Sequence, residues 1–327
     1  YVFPAQRPRR LRRTPVIRRL VAETTLSPSD FVAPLFVAEG LSEPKPILSL
    51  PGHYQHTLAS LHDEVKALVS SGVSGVILFG VPETKDEFGS AAWDPKGVAQ
   101  VALRSLRDSF GDDIVLMADL CLDEYTSHGH CGVLRTDGTI DNDATLELYA
   151  RVAVAQAEAG AAVVAPSGMM DGQVAAIRGA LDEASYDKTI ILAYAAKYAS
   201  GLYGPFREAV GVEIKGGGDR KAYQQDSRNR REALLEARAD VEQGADIIMV
   251  KPAMTYLDIV SDLRRELDVP LCAYHVSGEY AMVKAADANG WIDGTAVAIE
   301  QLTAVRRAGA DFVLTYFARE LAEELSR

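Results

Sequence analysis

Eight short apolar runs punctuate the chain, at 31–37, 75–80, 114–120, 161–166, 189–195, 245–250, 270–276 and 311–317. Each is a run of mainly Val, Ile, Leu, Ala and Phe without strict alternation, the pattern of strands buried on both faces of a parallel sheet. Between most of them lie stretches with helical periodicity. Residues 57–72 place Leu58, Leu61, Val65 and Leu68 on one face, 144–160 end at Gly160, and 231–244 end at Gly244. Strand–helix alternation with short connections predicts a parallel sheet covered by helices. No Gly-rich phosphate turn follows an early strand, which argues against an open dinucleotide-binding sheet. Eight strands predict closure into an α/β fold of the (β/α)8 TIM-barrel type over 23–327, preceded by an extended arm over 1–22.

The polar residues fall where such a barrel builds its active site. Asp119, Ser167, Lys197, Lys251, Ser277 and Tyr316 stand at or just after the C-terminal ends of apolar runs. The lysines carry the most information, because a charged side chain rarely ends a buried strand without a partner or a task. A single one would ordinarily snorkel into water. Two on neighbouring strands point instead to amines made neutral by burial and mutual repulsion, the nucleophiles that form Schiff bases with ketones. The connection 198–230, long for a barrel, holds Arg207, Lys215, Gly216 to Gly218, Arg220 and Lys221 and reads as a lid over the mouth.

After the third run, 119–132 gather Asp119, Cys121, Asp123, Glu124, His128, His130 and Cys131. That density suggests a divalent metal on a loop. Two thiolates favour Zn²⁺, whereas a carboxylate also suits Mg²⁺, and His130 or water is a candidate to complete the set.

Charge and cysteine content narrow the partners. The net charge of −12 argues against nucleic acid as the main partner. The first 19 residues oppose this locally, with Arg7, Arg9, Arg10, Arg12, Arg13, Arg18 and Arg19 and no acid, which leaves about −19 on the rest. A nucleic-acid tail, a remnant of an organelle-targeting segment and an arm gripping another subunit are three readings that compete here. Three cysteines do not make a secreted disulfide framework, so a reducing, cytoplasmic setting is expected. No apolar stretch reaches the roughly 18 residues of a membrane span, and 1–19 contain no apolar core of a signal peptide.

Longer segments carry a resemblance. YGPFREAV (203–210), GDRKAYQ (218–224), MVKPAMTYLDIV (249–260), YHVSGEYAM (274–282), APSGMMDGQV (165–174) and LTYFA (314–318) resemble the porphobilinogen synthase, or 5-aminolevulinate dehydratase, family almost end to end. The resemblance implies a barrel with an N-terminal arm, usually a homo-octamer, that condenses two 5-aminolevulinates with loss of two waters. By motif, Lys251 matches the lysine holding the first substrate (the P site) and Lys197 the lysine of the second (the A site). Arg207, Arg220 and Gln224 match the A-site carboxylate clamp, and Ser277 and Tyr316 the P-site carboxylate donors. Tyr203, Phe206 and Tyr274 fall in the same motifs as substrate-site residues, and Asp119 is the candidate proton-transfer group. Glu236 matches a glutamate of a separate Mg²⁺ site between subunits. Two departures stand out: zinc-type members have three cysteines where this chain has Cys121, Asp123 and Cys131, and Gly168 stands where many members carry an aspartate.

Other readings predict different chemistry. A class I aldolase would share the barrel and one lysine but need no cysteine loop. A nucleic-acid binder would rely on the arginine arm, and an inactive assembling homologue would have no use for both lysines.

Overall fold

The computed structural model describes residues 3–214 and 218–326, so Lys215, Gly216 and Gly217 of the expected lid lie outside the described residues. The eight apolar runs form eight parallel strands: β1 (Phe31–Ala38), β2 (Gly75–Val81), β3 (Val115–Leu120), β4 (Val163–Pro166), β5 (Ile190–Lys197), β6 (Ile247–Lys251), β7 (Leu271–His275) and β8 (Phe312–Thr315). Each pairs with the next, and β8 returns to β1 through Phe31 opposite Val313 and Val32 opposite Leu314, closing the barrel. Closure leaves the barrel strands no open edge, and helices cover their outer faces, which is why the strands read as continuous apolar runs.

The three anticipated helices form at Leu58–Ser70, Asn142–Glu158 and Arg231–Glu242. Thr57 caps the first by accepting from the Ser60 amide, and Asp141 caps the second through the Ala144 amide. Gly160 and Gly244 follow the second and third with φ of 103° and 106°, a conformation that terminates a helix and that a side chain would strain.

Two additions frame the barrel mouth. A short hairpin pairs Lys45–Pro46 with Tyr54–His56 and joins the sheet beside β1. Its loop is pinned to the helix Gly204–Ala209 of the 198–230 connection. The Leu48 and Ser49 amides donate to the Glu208 carboxylate at 3.1 and 3.3 Å, and Gln55 Nε2 donates to the Ala209 carbonyl at 2.8 Å. The described part of the connection is tied down further: Tyr198 bridges Gln225, and the Tyr198 hydroxyl donates to the Asn229 carbonyl. At the other end of the chain, the arm carries a short helical turn (Pro8–Arg12) and a helix (Pro15–Leu20) whose residues are exposed but for a half-buried Ile17. Among the described residues the Arg7, Arg10 and Arg18 side chains donate to carbonyls within the arm, and Leu11, Val16 and Leu20 face outward. Among the described residues no helix is long and apolar enough to cross a membrane.

Candidate active site

Lys197 and Lys251 end β5 and β6 directly opposite one another in the sheet register. A register irregularity between Ala193 and Ala196 lets Tyr194 and Lys197, three apart, share one environment: both lysine ammoniums lie near the Tyr194 ring, at 5.5 and 5.2 Å. Both lysines are buried, but their surroundings differ. Lys251 Nζ sits among aromatic faces, 4.3 Å from the Tyr274 ring and 5.2 Å from Tyr203 and Phe206. Burial, and then the charge of Lys197, bring its pKa down to about 7 against the opposing pull of Asp119. Lys197 Nζ instead donates to the Ser167 carbonyl at 2.6 Å. Ser167 Oγ donates to Asp119 Oδ2 at 3.1 Å, while Asp119 Oδ1 is buried with no hydrogen-bond partner among the described residues. Burial raises the Asp119 carboxyl to about 6, with Lys197 offsetting part of that rise. The pair thus offers one amine that is half neutral near neutral pH beside a carboxyl able to give or take a proton there.

The carboxylate-binding candidates separate into two groups. Arg220 and Gln224 are buried on one turn of the 198–230 connection, the Gln224 amide donating to the Arg220 carbonyl. Arg220 Nε and Gln224 Nε2 are buried donors with no partner among the described residues, and such donors are costly unless something accepts from them. Arg207, on the helix Gly204–Ala209, is exposed and its side chain makes no hydrogen bond or ion pair among the described residues, so the structure does not assemble the full clamp. On the Lys251 side, Ser277 begins the helix Ser277–Ala288 and accepts from the Phe206 amide at 3.1 Å. The Tyr316 and Tyr274 hydroxyls meet at 3.2 Å, and Tyr203 donates to the Tyr198 carbonyl at 2.7 Å. Ser277 is joined to the Phe206 amide and Tyr316 to the Tyr274 hydroxyl, and the rings of Phe206, Tyr203 and Tyr274 surround Lys251 Nζ.

Cys121, Asp123 and Cys131 come together as the loop spacing suggested, fully buried, with one ligand atom from each within 4.8 Å of the others. The donor set fits a small divalent ion: burial drives the Cys121 thiol up, whereas a hydrogen bond from Cys121 and the nearby Arg220 outweigh burial at Cys131 and lower it. One expectation needs correcting. His130 does not join the group, because its Nδ1 is 3.1 Å from the Tyr223 hydroxyl and the ring is turned to the 198–230 connection. Asp123 is not a free carboxylate, because Arg220 Nη2 holds its Oδ2 at 2.8 Å, and Arg220 and Lys197 keep it ionised despite burial.

Sequence reasoning passed over Tyr149. This fully buried residue of the helix Asn142–Glu158 donates to the Cys131 carbonyl at 2.6 Å and lies 3.8 Å from the Cys121 sulfur. A Cβ at Gly168 would fall 1.6 Å from its hydroxyl oxygen, so the phenol occupies the space that a side chain at 168 would need. The signal is one aromatic on a buried helix face otherwise made of Thr145, Val152, Ala153, Gln156 and Ala157, and it reads as ordinary core.

Glu236 lies apart on the helix Arg231–Glu242, half-buried in a cleft of about 410 Å³ whose lining includes Asp171, Glu232 and Lys221. Burial and the charges of Asp171 and Glu232 raise its pKa. Among the described residues of one chain these acids do not converge closely enough to form a metal group.

The family model described as delta-aminolevulinic acid dehydratase matches residues 5–324. Delta-aminolevulinic acid dehydratase of Streptomyces coelicolor is 57% identical over 325 residues, spanning 99% of this chain and 98% of that protein. The Mycobacterium tuberculosis enzyme of the same description is 58% identical over 322 residues, spanning 98% and 97%. A crystal structure of the Toxoplasma gondii enzyme (porphobilinogen synthase), in complex with the reaction product porphobilinogen, superposes with a TM-score of 0.96 at 43% identity, covering 99% of this chain and 92% of that one.

Proposed function

The chain belongs to the delta-aminolevulinic acid dehydratase family and is a lyase, and we propose that it joins two 5-aminolevulinates through iminium linkages to two lysines. The observation that supports this reading best is the in-register burial of Lys197 and Lys251 at adjacent strand ends. Each ketone condenses with one amine and loses its oxygen as water. The iminium makes the neighbouring C–H acidic, so one substrate carbon attacks the other and a carbon–carbon bond forms. The lysine on the attacked carbon then leaves as a free amine as the neighbouring carbon loses a proton. The amino group of that substrate displaces the other lysine to close the ring through a carbon–nitrogen bond, and loss of a last ring proton makes the pyrrole. Net, two waters leave and both lysines return as amines, giving porphobilinogen.

The residues divide this work by chemistry. Lys251, whose pKa burial and Lys197 lower to about 7, takes the first substrate, with Ser277 and Tyr316 as hydroxyl donors to its carboxylate and Tyr203, Phe206 and Tyr274 packing its chain. Lys197 takes the second, whose carboxylate satisfies the unpartnered donors of Arg220 and Gln224, with Arg207 joining from the exposed helix. Asp119 relays protons beside Lys197. Cys121, Asp123 and Cys131 would hold a divalent ion, Zn²⁺ ahead of Mg²⁺ on the strength of the two sulfurs, and such an ion would act as a Lewis acid toward a substrate oxygen. Glu236 is a candidate Mg²⁺ ligand at a contact between copies. The exposed arm, basic and apolar at once, suits docking on the acidic body of another copy in a homo-octamer, and the free thiols suit the cytoplasm.

Borohydride reduction in the presence of substrate tests the mechanism. Mass spectrometry should find adducts on Lys251 and Lys197, and Lys197→Ala should retain the Lys251 adduct while making no porphobilinogen. Product formation by Lys251→Ala at the wild-type rate would remove the two-lysine mechanism.

A further inference from the structure

We propose that the Asp123–Arg220 ion pair makes cation binding at Cys121, Asp123 and Cys131 and docking of the 218–225 segment mutually antagonistic, so that a substrate carboxylate engaging Arg220 tightens the cation site. The inference rests on the reading of that trio as a cation site and goes beyond it, because it makes the lid and the ion report on one another.

The geometry carries it. Arg220 Nη2 bridges Asp123 Oδ2 at 2.8 Å and the Gly129 carbonyl at 2.7 Å, with both side chains almost wholly buried. Tyr223 adds a second stitch, its hydroxyl 3.1 Å from His130 Nδ1 and within 3.5 Å of the Cys131 amide. The segment is thus sewn to the loop that carries the trio. One carboxylate serves two cations: the guanidinium already occupies an oxygen of Asp123, and a divalent ion on the same group would meet that positive charge inside a low-dielectric site. Arg220 is also not fully satisfied, since among the described residues its Nε is a buried donor without a partner, as is Gln224 Nε2 one turn on. A ligand carboxylate that accepts from these donors shares or takes the guanidinium and leaves Asp123 free for the ion. A cysteine at 123 would offer only one weakly accepting sulfur to the guanidinium fork, so the aspartate supplies the antagonism. Linkage makes the effect reciprocal: whatever the docked segment costs the cation, the cation costs the docked segment.

Titration of the metal-free full chain with Co²⁺, read by its thiolate charge-transfer absorption, isolates the cysteine site from carboxylate-only sites. Arg220→Gln should bind Co²⁺ about tenfold more tightly than the unaltered chain, within the usual range of coupling between sites. Hydrogen exchange on the unaltered chain supplies a second readout that needs no variant: amides of 219–225 should exchange faster when Co²⁺ is bound. Equal or weaker Co²⁺ binding by Arg220→Gln, or unchanged or slower exchange of those amides, would overturn the coupling. Absence of the charge-transfer band in both proteins would remove the cation-site reading itself, and the coupling with it.

Discussion

Replacing Gly168 by alanine tests how tightly the thiol pair is held. The added Cβ would lie 1.6 Å from the Tyr149 hydroxyl oxygen, 2.6 Å from Cζ and 3.0 Å from Cε2. Gly168 does not have a positive φ, so space and not backbone freedom selects glycine here. Tyr149 is fully buried and has no open side toward which to swing. Relief requires the ring to move by more than an ångström, which breaks its hydrogen bond to the Cys131 carbonyl. Overpacking costs about 1–3 kcal/mol, and stranding that buried pair costs about 1–3 kcal/mol more, a sizeable share of a typical folding free energy. Thermal and denaturant unfolding of Gly168→Ala should show this loss, and Cys121 and Cys131 should react faster with a thiol reagent. Tyr149→Phe leaves Cζ within 2.6 Å and should rescue little, whereas Tyr149→Leu removes the ring and should restore much of the stability of the alanine variant. Unaltered stability in Gly168→Ala, or strictly additive losses in the Tyr149→Leu double variant, would refute the reasoning.

Adduct formation at Lys251 should fall about tenfold per pH unit below roughly 7 and level off above it, since its lowered pKa leaves the amine protonated only on the acid side; a limb near 10 in borohydride trapping would show an ordinary lysine. Lys197→Ala removes a repelling charge and should move that limb to higher pH. Arg220→Lys should cost second-substrate use about ten- to a hundredfold, from charged hydrogen bonds of about 1.5–3 kcal/mol, and steady-state kinetics should show a smaller loss for exposed Arg207→Lys. Deleting residues 1–22 should yield smaller, less active particles in sedimentation, and a full-size, fully active particle would show that the arm does not grip a neighbour.

The barrel was legible because its strands are buried on both faces and so appear as eight apolar runs, each recovered to within about three residues of its observed limits. The two lysines were legible for the same reason, since a charge stands out against such a run. Side-chain pairings between distant segments were not. Nothing near Asp123 indicates that Arg220 will neutralise it, nor does anything near His130 indicate that Tyr223 will claim its ring. Tyr149 and Gly168 show the same limit: each looks unremarkable alone, and only their three-dimensional overlap explains the glycine.

The opposed lysines have a consequence for regiochemistry. Neighbouring parallel strands hold their backbones about 4.8 Å apart, so on the proposed two-lysine mechanism carbonyls tethered to Lys197 and Lys251 would be confined near one another. Yet one seat is walled by aromatic rings and the other by a carbonyl, a serine and a carboxylate. On that mechanism two identical molecules entering this mouth would stop being equivalent once seated, and the scaffold would decide which becomes nucleophile and which electrophile. The symmetry of the starting materials is broken by the lining of two adjacent strand ends. A different keto acid could therefore be admitted by recutting one seat alone, turning a self-condensation into a cross-condensation.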